Sequence, residues 1–455
     1  TGANTGINAI FSPYSDIVNI TSAATSGSNN TVKLGGGSDI LNMTSVNTPD
    51  NYLFGEDGND IIIVTGAGTS YIDGGLGDDT ITGGQGVTNF NVSAGTDTIT
   101  DLGYGIDSIA TSLGATANAS LYSSTPSWTA GNAINAGTLV INAPTNTTTA
   151  ELNLSSQINT GSLTLNLPAL TGTTTLTLPT TANQKITVTG GMGADTIVIS
   201  GQTLTSNASI NGGAGTDTLK SITGANIATV GALTSVEQLD FAGTFTLTAA
   251  QLDGFTLLTG SSTPNLTLTT AVTAAMLDNA KIETTDTTIT LANVANNAIT
   301  LANATVPSSK TLKIDASALT GTNALTFDGS AEADGSLSVT GGAGADTITG
   351  GTGIDTLIGG DGADTIKTKV ANFLTSNAVI DTIEGGLGVD SLLFTDTATT
   401  VVIATNNILT RIQNVEKITT VANSTPISIT IDINNQVPDI GSDFTTIDLS
   451  GDTDA

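Results

Sequence analysis

The sequence predicts an all-β fold built from many short strands, and three observations carry that prediction. Thr supplies roughly a fifth of the 455 residues and Gly 53 of them, far above ordinary usage. Short segments that alternate apolar and polar residues recur along the chain, and the joints between some of them are rich in Gly and Asp at a fixed spacing. Thr, Val and Ile favour strands, Gly and Asn clusters favour turns, and long helix-period segments are hard to find.

The strands follow in order. Residues 163–167, 176–178, 186–188 and 197–199 place apolar side chains two positions apart, the pattern of a strand with one buried and one solvated face. A second series falls at 289–291, 299–301, 312–314, 325–327 and 337–339, at a nearly even interval. Repeated short strands at such spacing fit either an antiparallel sandwich or a coil-by-coil β-solenoid. The choice depends on what joins the strands.

Seven joints carry the hexapeptide G-G-x-G-x-D, where chance would supply on the order of 0.05 copies. The first, at 74–79, contributes Gly74, Gly75, Gly77 and Asp79. Two more near the middle contribute Gly190, Gly191, Gly193 and Asp195, then Gly212, Gly213, Gly215 and Asp217. An unbroken tandem run follows with Gly341, Gly342, Gly344 and Asp346, then Gly350, Gly351, Gly353 and Asp355, then Gly359, Gly360, Gly362 and Asp364. The last copy holds Gly385, Gly386, Gly388 and Asp390. Most copies continue into a small residue and then Ile or Leu, as in Asp346-Thr347-Ile348, so the full unit has six turn residues and three strand residues.

Glycine permits positive φ and close backbone approach, so the six-residue half can curl with its carbonyls aimed at a common centre. Asp at the sixth position adds a carboxylate, and such hard oxygens suit Ca²⁺ rather than a soft metal. The apolar residue two positions later turns inward to build the core. If two nonapeptides make one coil, every second copy of a tandem run stacks, as Asp346 and Asp364 would. A calcium ion shared between stacked turns then neutralises carboxylates that otherwise repel.

These repeats resemble the calcium-binding nonapeptides of the RTX (repeats-in-toxin) family. The resemblance implies an elongated parallel β-solenoid, or β-roll, with multiple Ca²⁺ ions at its turns, irregular Thr-rich strands between, and export by type I secretion. It implies metal ligation by the seven Asp residues above and by the Gly backbone at the first, second and fourth positions. Degenerate copies are similar at Gly55-Glu56-Asp57-Gly58-Asn59-Asp60, which adds Asp60, at Gly35 to Asp39, and at Gly103 to Asp107. At Gly83-Gly84-Gln85-Gly86 the Asp is replaced by Thr88, a turn expected to lack metal. The implied organisation is an N-terminal roll over 1–110, a Thr-rich solenoid with two isolated motifs over 111–240, and a Thr/Ala/Asn-rich solenoid over 241–340. A tandem roll over 341–395 and a C-terminal β segment with an acidic tail over 396–455 complete it.

Two further segments look alike, 233–239 and 409–418. Each places a Val-Glu-x-Leu/Ile rung, with Glu237 or Glu416, downstream of a Gly-Asp motif. A Glu at a strand edge usually faces solvent or caps a turn, so both are read as structural. Trp128 is read as a satellite core aromatic.

Composition narrows the function. Ten Lys plus Arg against 40 Asp plus Glu give a net charge of −30, yet only 11% of residues are charged and 38% are hydrophobic, unlike a highly charged disordered tail. No basic surface is available for nucleic-acid phosphates. No apolar run reaches the length of a membrane-spanning helix, so membrane insertion is not expected. The sequence opens on Thr1 rather than Met, as a processed or excised chain would. His and Cys are both absent, which removes His bases, Cys nucleophiles, His/Cys zinc sites and disulfides. RTX-type metalloproteases and lipases both need His and are excluded. A carboxylate-pair enzyme acting on polysaccharide is the remaining catalytic class, and with Arg411 as the sole Arg no catalytic residues are assigned.

Alternation of RTX turns, Val-Glu rungs and Thr-rich solenoid in an acidic chain resembles bacterial surface-layer proteins of the RTX type. The expectation is a non-enzymatic, secreted structural protein at the bacterial cell surface, folded and assembled into a lattice by extracellular calcium. Its implied partners are copies of itself and cell-surface polysaccharide or lipopolysaccharide, through a region the sequence does not identify. An RTX adhesin or extracellular spacer is the alternative reading.

Overall fold

The computed structural model describes residues 6–21, 28–45, 50–103, 107–121, 128–129, 134–143, 150–155, 158–159, 161–168, 170–180, 185–273, 281–282, 286–303, 305–369, 381–395, 400–403, 411–420, 428–431 and 446–448. The chain divides into two compact units, Thr1–Glu237 and Gln238–Ala455. Each is a parallel β-solenoid.

In the first unit, strands Asn30–Gly36, Asn51–Asp57, Ser70–Asp73 and Thr88–Val92 stack in parallel in one sheet. The strands between them in sequence, Ile40–Ser45, Ile61–Gly66, Thr80–Thr82 and Thr96–Leu102, stack in a second. Successive strands thus go to opposite sheets, and each coil crosses to the second sheet and back. The second sheet continues through Thr116–Leu121, Thr138–Asn142, Ser162–Asn166, Lys185–Thr189 and Ser209–Asn211. A further sheet runs from Trp128–Thr129 through Ala150–Asn153, Thr174–Thr177 and Thr196–Ile199 to Thr218–Ser221.

The alternation in the sequence explains this arrangement. Every second residue of a strand points inward, and the register sets like on like: Leu41, Ile62, Ile81 and Ile99 occupy successive rungs and all are fully buried. Ile141, Leu165, Val188 and Ile210 form a similar stack. Each such side chain contributes about 1.5–3 kcal/mol on burial, and the outward Thr and Asn residues stay at the surface.

In the second unit one sheet holds Leu257–Leu268, Thr287–Thr290, Thr311–Asp315, Ser336–Thr340, Thr356–Gly362 and Thr382–Gly388. The other holds Asn297–Thr300, Leu325–Asp328, Thr347–Thr349, Thr365–Thr368 and Ser391–Phe394. The five evenly spaced strands from 289 to 339 therefore fall alternately in the two sheets, and their parallel pairing decides for the solenoid over the antiparallel sandwich. Among the described residues the one helix is Ala249–Asp253, opened by a capping box between Thr248 and Gln251. Trp128 is buried, and its indole N–H donates to the carbonyl of Asp107 at 3.0 Å.

Candidate metal centre

The Asp residues of stacked turns form ladders. In the first unit the N–H of Asp16 donates to Asp39 Oδ1 at 2.6 Å, Asp39 to Asp60 at 2.8 Å, Asp60 to Asp79 at 2.8 Å and Asp79 to Asp97 at 3.2 Å. A second ladder joins Thr174 to Asp195 and Asp195 to Asp217, both at 2.7 Å. In the second unit Asp346 donates to Asp364 at 2.7 Å and Asp364 to Asp390 at 2.8 Å. Asp355 donates to Asp381 at 3.0 Å. Asp346 and Asp364 lie two nonapeptides apart, and their stacking is as the repeat length requires. Asp195 stacks equally well on Asp217, and Asp364 on Asp390, across longer intervals, because the extra residues lie elsewhere in the coil.

The second carboxylate oxygen divides the turns into two kinds. In the turns ending at Asp195, Asp346 and Asp355, the N–H of the second glycine, Gly191, Gly342 or Gly351, donates to Oδ2 at 2.6, 2.6 and 2.8 Å. These turns are closed on themselves. In the turns ending at Asp39, Asp60, Asp79, Asp217, Asp364 and Asp390, Oδ2 is buried without a hydrogen-bond partner. There the second and fourth positions both have positive φ, for example 111° at Gly360 and 131° at Gly362. Glu56 takes a φ of 74° in the second position of the Asp60 turn. A left-handed residue swings the N–H away from the carboxylate, so one backbone choice both opens the turn and strands the oxygen.

At most of the motifs, though not at Gly74 or Gly350, the first glycine marks where a carbonyl of the next turn meets the Asp Oδ2. A Cβ added to Gly55 would lie 2.1 Å from the carbonyl oxygen of Gly74 in the next turn and 2.3 Å from Asp60 Oδ2. One added to Gly359 would meet Asp364 Oδ2 and the carbonyl of Gly385, each at 2.4 Å. No side chain fits there. Among the described residues no group of three or more acidic side chains is placed to hold a metal by itself, so an ion at these turns draws on main-chain carbonyls as well as carboxylates.

Burial loads these carboxylates electrostatically. It raises Asp60 and Asp217 to about 6, and Asp364 to about 7, with repulsion from neighbouring carboxylates adding to the rise. Asp97 rises to about 7 from the same causes, and Asp79 and Asp390 are also raised by burial. A buried anionic oxygen without a donor is costly, and hard oxygens from carboxylates and carbonyls are the ligand set of calcium. The residues present therefore fit Ca²⁺. When bound, the ion supplies the positive charge that these oxygens lack.

Several members of the ladders lie outside the hexapeptide. Asp16 and Asp381 take ladder positions without any of its glycines, and Asp97 keeps only the fourth, Gly95; the signal that finds Asp97 and Asp381 is Asp-Thr-Ile, shared with Asp346. Asp101 accepts from Gly83 and Gly84, both at 2.8 Å, and the Thr88 hydroxyl donates to the Gly83 carbonyl. The turn lacking its Asp is thus closed by protein atoms. Asp107 takes Thr88 N–H on Oδ1 and Gly103 N–H on Oδ2.

Parallel coils with Gly-Asp turns, several of which strand a carboxylate oxygen, define a β-roll of the calcium-binding kind. The family model described as the RTX calcium-binding nonapeptide repeat matches residues 50–64, 62–88 and 340–368, in four copies. RTX repeats therefore occur in both units. No curated protein and no solved structure matches the chain.

Proposed function

We propose that the chain is a calcium-dependent structural protein of a bacterial surface layer, exported through type I secretion and folded outside the cell. The observation that carries this reading is the accumulation of buried, unpartnered Asp oxygens along regular coils in a chain of net charge −30. In calcium-poor cytoplasm those carboxylates oppose folding and keep the chain export-competent. Outside, calcium binds the folded coils and not the unfolded chain, so it acts as folding free energy.

Assembly follows from the same charge. With ten basic residues against 40 acidic ones, two copies have few cations for ion pairs, and further calcium between acidic faces joins them. Without His or Cys the role is architectural rather than catalytic. Negative-stain imaging of the purified protein tests the assembly: calcium should give a two-dimensional lattice that a chelator dissolves. Single rods in calcium would favour the spacer or adhesin role, and a lattice indifferent to chelation would contradict the proposal.

A further inference from the structure

The two Val-Glu rungs take over the ladder role of the hexapeptide Asp. Glu237 Oε2 accepts the N–H of Asp217 at 2.8 Å, and Glu416 Oε2 accepts the N–H of Asp390 at 2.6 Å. In each case a Glu occupies the ladder position that the next Asp would take. The residue two places earlier is just as specific. Ser235 and Asn414 are two of the four non-glycine residues with positive φ among the described residues, at 50° and 53°.

That conformation places a carbonyl where the next glycine turn would have supplied one. A Cβ on Gly212 would lie 1.9 Å from the Ser235 carbonyl oxygen and 2.5 Å from Asp217 Oδ2. On Gly385 it would lie 1.8 Å from the Asn414 carbonyl oxygen and 2.7 Å from Asp390 Oδ2. The same pair of oxygens, a carbonyl of the next coil and the turn's own Oδ2, surrounds Gly55 and Gly359 inside the rolls. Asp217 and Asp390 are fully buried, and their Oδ2 atoms have no hydrogen-bond partner.

We propose that 235–237 and 414–416 are three-residue closures, each completing a calcium site with the last Gly-Asp turn of its run. The carbonyl and the Glu carboxylate replace the first glycine and the Asp of a six-residue turn. Because Glu is one methylene longer, it reaches the ladder from a rung two residues past the carbonyl instead of five. A run of turns thus ends without leaving its last carboxylate unmatched, and the chain passes on without a further glycine loop. The metal is the one the glycine turns bind, so the inference rests on their calcium reading and not on the surface-layer role.

The test uses the full chain, with Glu237→Gln, Glu416→Gln and the double variant, and with Glu151→Gln on an exposed strand position as a control. Gln keeps the acceptor for the Asp N–H and removes the charge. Calcium bound per chain, measured by equilibrium dialysis, should fall by one ion in each single variant and by two in the double, with no change in the control. A full complement in all of them would overturn the proposal and leave the Glu residues as hydrogen-bond acceptors. A calcium-loaded structure of the unsubstituted chain, phased to show anomalous calcium density, gives the second readout even if a variant fails to fold. An ion bound by Asp217 and the Ser235 carbonyl supports the closure. Ions in the glycine turns but none at Ser235 or Asn414 would refute it alone, whereas no calcium anywhere would refute the reading of the turns.

Discussion

Asp364 holds the conflict on which the rolls depend. Its Oδ1 secures the coil before it through the N–H of Asp346, while its Oδ2 is buried with nothing to bind. Replacing it by Asn keeps the first bond and removes the charge, so the effect on stability should change sign with calcium. In calcium, Asp364→Asn should cost about 1–3 kcal/mol, the range for losing a buried charged contact, and without calcium it should raise the melting temperature. Thermal unfolding in the two conditions checks both signs; equal effects in both would contradict the metal role. Protons should partly replace calcium for the same reason. Burial raises Asp60 and Asp217 to about 6 and Asp364 to about 7, above the 3.8 of an unfolded Asp. The folded state then binds more protons than the unfolded one. Stability from these groups is present below the unfolded value and lost as pH rises through the folded one. Calcium-free protein should accordingly melt at higher temperature at pH 5 than at pH 8, while calcium affinity should weaken over the same descent. A calcium-free protein that is less stable at pH 5 would refute this account of the turns.

At the scale of the turn, glycine is required by stacking as well as by φ. A Cβ on Gly362 would sit 2.2 Å from the carbonyl oxygen of Gly344 at a φ of 131°, whereas one on Gly321 has a φ of 69° and nothing within 4 Å. Gly321→Ala should cost roughly 1–2 kcal/mol of conformational strain, and Gly362→Ala clearly more, because a neighbouring backbone must also move. Denaturant unfolding in calcium separates the two; equal costs would mean that the coils do not stack as described. The glycine turns and inward Leu and Ile positions were legible because each rests on a local pattern: G-G-x-G-x-D fixes the curl, and period-two alternation fixes the face. Coil length was legible only where two nonapeptides adjoin, at 341–366. Elsewhere the interval from Asp195 to Asp217, like that from Asp364 to Asp390, exceeds two nonapeptides, so the stacking follows from tertiary register that spacing alone does not encode. The difference between closed turns, such as Gly342 on Asp346, and open ones, such as Gly360 beside Asp364, is likewise invisible in identical motifs. It goes with the φ of the second residue, positive at Gly360 and not at Gly342.

Across the whole molecule, the excess of 30 negative charges describes a chain that cations complete. The Asp ladders recur in both units, so calcium should stabilise both rather than one local site. An ion held at 100 times its dissociation constant adds about 2.7 kcal/mol per independent site, and several such sites together match the roughly 5–15 kcal/mol typical of a folded domain. The proposed lattice would be a further consequence of calcium, but folding comes first. The most direct measurement is therefore thermal unfolding of the full chain as free calcium is raised from chelated to millimolar levels. The melting temperature should climb steadily with the logarithm of calcium, with a slope that reports uptake of several ions. A melting temperature that does not move across that range would contradict the assignment of the Gly-Asp turns as calcium sites.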